Sequence, residues 1–187
     1  MSGRIQIADS FWLLAALVVF LDDSGIGILF LLAASIHEAG HAAAVWLCGG
    51  QLLTLRLTAL GGVMRYRLPR PQTGRDICIA AAGPLIGFLT AWLAAANGYT
   101  LFAGANLLLS IANLTPVRPL DGGQILRAVM GAGRLLTGGE ALGCLTVSLA
   151  GIWLAAHNGG YGLLVFGGVL WWNFRKNLQS PPEWDKI

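Results

Sequence analysis

From Gly25 to Cys48 the chain is apolar except for Ser35 and three ionisable residues, which fall within the pentad His37-Glu38-Ala39-Gly40-His41. A run of that length suits a helix that crosses a bilayer, for which roughly 20 residues suffice. In a helix, His37 and His41 are one turn apart on the same face. That spacing suits two ligands of a tetrahedral zinc and leaves Glu38 beside the metal as a general base. A charged or titratable group at membrane depth is costly and marks function. The bland alternative is a pair of satisfied core histidines, but two of the three histidines in the chain (the third is His157) fall at this spacing.

Further apolar runs cover Phe11 to Leu21, Ile77 to Ala96, Leu101 to Val117, Leu142 to Ala156 and Gly162 to Trp172. With Gly25 to Cys48 they predict an all-α polytopic membrane protein of about six transmembrane helices. Extending the first and last runs to Ile5 and Phe174 gives them more length, though the first could lie at the interface. The composition agrees, with 56% hydrophobic and 11% charged residues, where soluble domains carry about 25% charge. Asp22-Asp23 after the first run and the lack of a small-residue cleavage site argue for a retained N-terminus.

Numbering the connections of that six-span layout puts every Lys and Arg on one side. Arg4 precedes the first span. Arg56, Arg65, Arg67, Arg70 and Arg75 follow the second, and Arg118, Arg127 and Arg134 follow the fourth. Arg175, Lys176 and Lys186 follow the sixth. The positive-inside rule then puts both termini in the cytoplasm, and the expected location is a bacterial cytoplasmic membrane. Net charge +3 is thus a topology signal, and the scattered arginines form no nucleic-acid patch. Cys48, Cys78 and Cys144 lack ligand spacing and read as small apolar fillers.

A single membrane-embedded domain is expected over 1–187, with a polar tail at 175–187. One segment breaks the helical pattern. Leu53, Leu55 and Leu57 alternate with Thr54, Arg56 and Thr58, and Met64, Tyr66 and Leu68 alternate with Arg65 and Arg67 beyond Gly61-Gly62. This predicts a cytoplasmic β-hairpin over about 52–68. It is either a connector or, through a free edge at Leu53 to Thr58, a place where an extended peptide pairs. The run Ala80 to Pro84 that follows is explained by close helix packing.

A catalytic zinc usually takes three protein ligands and keeps one position open. His157 is a poor third ligand, since topology puts it across the membrane. Asp121 stands out, in Asn113-Leu-Thr-Pro-Val-Arg-Pro-Leu-Asp-Gly-Gly123, where two prolines and two glycines break the helix. Non-helical backbone at membrane depth is tolerated where it lines a cavity. An ordinary Pro-Gly turn is the alternative.

Together the two motifs resemble the site-2 protease family of intramembrane zinc metalloproteases. Its HExxH pattern falls on His37 to His41, and its Asn-x-x-Pro-x-x-x-Leu-Asp-Gly pattern on Asn113, Pro116, Leu120, Asp121 and Gly122. Gly83-Pro84 is a further match. The resemblance covers a three-helix catalytic core at about 25–127. It implies one Zn²⁺ per chain held by His37, His41 and Asp121, with Glu38 as base and Asn113 near substrate. It also implies membrane-spanning or membrane-associated protein substrates, cleaved in regulated intramembrane proteolysis. The layout is most similar to the stage IV sporulation protein FB branch, without a CBS domain and with no insertion long enough for a PDZ domain. Two positions depart from the pattern. Gly87 stands where the family often has Asn, and Arg118 where an uncharged residue is commoner. A zinc transporter or sensor, or an inactive homologue that binds membrane partners, are the rival readings. The first would want more polar residues along several spans, and the second has no need of Glu38.

Overall fold

The computed structural model describes residues 4–58, 61–69, 72–158 and 161–179. Residues 59–60 within the expected hairpin segment, residues 70–71 at the start of the expected Arg70 to Arg75 loop, and the tail beyond Gln179 lie outside them. The chain divides into two compact units, Met1–Asn113 and Leu114–Ile187.

The first unit runs β1 (Arg4–Ile7), α1 (Asp9–Leu21), α2 (Ile26–Leu47), β2 (Gln51–Thr58), β3 (Gly61–Arg67), α3 (Thr73–Ala96) and α4 (Thr100–Asn113). Helices α2 and α3 carry the expected apolar runs and are long and apolar enough to cross a membrane. Ahead of α2, Asp22 accepts the Ser24 hydroxyl at 2.6 Å and the Gly27 N–H at 2.6 Å. The Ser24 bond, more than the backbone bonds, holds the Asp22 carboxyl below its ordinary range. Helices α2, α3 and α4 pack on one another. Their backbones approach closely because glycines face the neighbour, as small residues allow in membranes. A Cβ on Gly40 would lie 2.9 Å from the Ala82 carbonyl oxygen of α3, and one on Gly87 would collide with the Ser110 hydroxyl of α4. Gly87, where the resemblance leads one to expect an amide, is thus a packing position.

Three expectations need correction here. The segment before α1 does not extend that helix; Arg4–Ile7 is a strand, parallel to β2 with Arg4 opposite Thr54 and Ile7 opposite Leu57. The sheet order is β1-β2-β3. The hairpin exists, with β2 and β3 antiparallel and a register shift between Leu52 and Thr54. However, β2 is the middle strand, and of the edge expected over Leu53 to Thr58 the residues Thr54, Leu55, Arg56 and Leu57 are already paired with β1 and so are not free for a peptide. Helix α4 also stops at Asn113, short of the expected Val117. Pro116 has no N–H to continue it and disfavours helical backbone at Thr115.

The second unit comprises α5 (Asp121–Met130), α6 (Arg134–Asn158) and α7 (Gly162–Gln179). Helix α6 is the third helix long and apolar enough to span. Helix α5, an addition to the expected elements, starts where the Pro-rich segment ends. Val117, Cys144, Leu170 and Phe174 form the buried core of this unit, joining the 114–120 loop to α6 and α7. The protein is mostly helical and integral to the membrane. Among the described residues, three helices meet the length and composition of a span, where the sequence led us to expect about six.

Candidate metal centre and catalytic base

Helix α2 places His37 and His41 on one buried face, as their spacing requires. His41 Nδ1 lies 2.7 Å from the Ile79 carbonyl oxygen of α3. A carbonyl only accepts, so Nδ1 is the nitrogen that donates here, which leaves Nε2 as the ring atom that can face a metal. A carbonyl on the far ring nitrogen is how metal-binding histidines are commonly oriented. The His41 Nε2 and His37 Nε2 atoms are 3.2 Å apart. Two nitrogens on a tetrahedral zinc, with bonds of about 2.05 Å, stand about 3.3 Å apart. The pair therefore fits the bite of one zinc ion.

The space around those nitrogens comes from Gly83 of α3. A Cβ built there would collide with His41 Nε2 and lie 2.7 Å from His37 Nε2. Sequence reasoning assigned Gly83 to helix packing and, by resemblance, to a family motif; its contact with the imidazoles crosses between helices and has no signature in spacing.

Glu38, half-buried on the next position of α2, turns toward the sheet. The Gly62 N–H of β3 donates to its Oε1 at 3.0 Å. Gly62 again lacks a Cβ where one would overlap the carboxylate. Further along β3, the Tyr66 hydroxyl donates to Asp76 Oδ1 of α3 at 3.4 Å. Burial, helped by the Asp76 charge, pushes Tyr66 up to about 12. The sheet is therefore tied to both α2 and α3. Asn113 donates its side-chain amide to the Leu109 carbonyl at 3.0 Å, within α4.

Asp121 belongs to the second unit. It is buried, 6% exposed, at the first position of α5. The loop before it folds back over that turn. A Cβ on Gly122 would collide with the Leu114 carbonyl, and one on Gly123 with the Arg118 amide nitrogen. Gly122-Gly123 therefore serves close backbone approach, which only glycine allows.

Two imidazole nitrogens at the spacing of a metal's ligands, with a carboxylate beside them on an apolar helix, are residue types that can hold a zinc ion and move a proton next to it. The chain belongs to the Peptidase M50B-like family, whose model matches residues 11–136. It is 32% identical over 116 residues to a zinc metalloprotease of Methanocaldococcus jannaschii, a match covering 55% of this chain and 33% of that protein. It is 29% identical over 134 residues to stage IV sporulation protein FB of Bacillus subtilis, covering 66% of this chain and 46% of that one. The chain thus spans less than half the length of these curated relatives. Its fold is that of the solved site-2 protease from Methanocaldococcus jannaschii, with a TM-score of 0.65, 21% identity, and coverage of 94% of this chain and 91% of that one.

Proposed function

We propose that this chain is an intramembrane zinc metalloprotease acting on membrane-spanning or membrane-associated proteins. The observation that carries the reading is the convergence of His37 and His41 Nε2 at 3.2 Å, in space cleared by Gly83. His37, His41 and Asp121 are the proposed ligands, two imidazoles and a carboxylate, as in other catalytic zinc sites. Zinc held there would supply Lewis acidity, the property that acidifies water and polarises a carbonyl oxygen. Glu38 takes the proton of the attacking water and returns it to the leaving amine. The Gly62 N–H fixes one carboxylate oxygen and leaves the other for that proton. A substrate helix has its amides internally bonded, so it unwinds before attack.

Purified protein is expected to carry about one zinc per chain, and Asp121→Ala to retain only a minor fraction of it. Metal analysis of the two proteins side by side checks this. Full zinc retention in Asp121→Ala removes the residue from the ligand set.

A finer reading of topology goes with the function. Six apolar helices, α1 to α4 with α6 and α7, cross the membrane, and the side bearing all the Lys and Arg is cytoplasmic. Single cysteines, placed in a background lacking Cys48, Cys78 and Cys144, should label from the cytoplasm at Arg67 and Asn177. From outside, they should label at Asn97 and Tyr161. Labelling of Arg67 from outside overturns the orientation.

A further inference from the structure

Arg118 stands at a position where the family resemblance leads one to expect an uncharged residue, and the second unit holds it from several directions. Its Nε donates to Glu140 Oε1 at 2.6 Å and its Nη2 to Oε2 at 3.0 Å. The same Oε1 accepts the Arg118 backbone N–H at 3.0 Å. The Arg118 carbonyl accepts the Asn177 side-chain amide at 3.1 Å. Glu140 is 1% exposed and Arg118 9%, so this is a desolvated, forked ion pair rather than a surface contact.

The backbone around Arg118 is equally confined. A Cβ on Gly143 of α6 would lie 2.8 Å from Pro116 and 3.2 Å from Val117, so α6 is indented where the loop rests. Val117 is fully buried in the core with Cys144 and Leu170. On its other side the loop lies against Gly122 and Gly123, immediately after Asp121. Apolar packing alone could secure such a loop, and replacing a buried ion pair by apolar residues often leaves stability unchanged or improved. A planar guanidinium gripping a carboxylate in two places supplies direction instead.

We propose that the Arg118–Glu140 pair, with Asn177, is a positioning brace that sets the place of the Asp121 carboxylate and so tunes zinc affinity. Glu140 and Asn177 lie beyond the 11–136 family match. Helices α6 and α7 therefore serve the metal centre as well as the membrane. The proposal rests on the reading of Asp121 as a zinc ligand.

The test uses the full chain in lipid nanodiscs, with zinc affinity measured by chelator competition and thermal melting followed in parallel. Asp121→Ala is compared with Glu140→Gln and with the double variant Arg118→Met/Glu140→Leu. The double variant strands no charge, but it removes the oxygen that accepts the backbone N–H of residue 118, so it is expected to fold and to melt a few degrees below wild type, as loss of about 1 kcal/mol would give. Both brace variants should bind zinc about 10- to 100-fold more weakly, as loss of groups that orient a ligand commonly does. If Glu140→Gln fails to fold, the double variant still decides. Wild-type zinc affinity in the double variant, with Asp121→Ala losing its metal, overturns the brace alone. Wild-type affinity in Asp121→Ala overturns the ligand reading and the brace with it.

Discussion

Glu38→Gln is expected to fold and keep zinc while cleaving about 10²- to 10⁴-fold more slowly. The glutamine keeps a side-chain oxygen for the Gly62 N–H, which meets Glu38 Oε1 at 3.0 Å, so the hairpin should stay in place. What it loses is the ability to take a proton. Membrane-protein fragments that accumulate in cells carrying the variant would reveal substrates, whose turnover by both purified proteins gives the ratio. Near-normal turnover by Glu38→Gln with full zinc content removes Glu38 as the base. A transporter or sensor built on the same ligands would show no such loss, because it has no proton to move.

Gly83→Ala should have a comparably large effect through geometry alone. The added methyl would occupy the position now taken by His41 Nε2 and press on His37 Nε2. Overpacking of this kind costs about 1–3 kcal/mol, and here the displaced atoms are the proposed ligands themselves. Zinc affinity should fall by about 100-fold or more, beyond what loss of an orienting group costs. The helix should survive, since alanine is a better helix former than glycine by about 1 kcal/mol. Gly104→Ala in α4 is the control, because a Cβ there meets nothing within 4 Å. Chelator competition on the two variants checks the prediction; wild-type affinity in Gly83→Ala would mean that the imidazoles bind metal in a different arrangement.

The parts of this fold that local pattern governs were legible in the sequence. The pentad's spacing places both imidazoles on one face of α2, and the alternation at Leu53 to Thr58 and Met64 to Arg67 marks β2 and β3. Strand β1 was not legible, because Arg4–Ile7 is four residues whose identity as a strand comes from pairing with a partner some fifty positions away. The same contact hid the fact that β2 is internal. Gly83 was read as a packing residue because its role lies in what stands opposite, on another helix. Glu140 had a signal that could have been used. A carboxylate beside an apolar run must find a partner or a solvent route, and Arg118 was the charge without an explanation in its own motif.

The hydrogen bond from Gly62 to Glu38 has a mechanical side. The amide that reaches the proposed base belongs to an outer strand of the sheet, and Tyr66 of the same strand is tied to α3. A displacement of β3 must either drag the carboxylate along or break its hydrogen bond, so under the proposed mechanism the place of this strand and the reactivity of Glu38 are coupled. An inhibitor that wedges against this strand could silence the site without touching the metal.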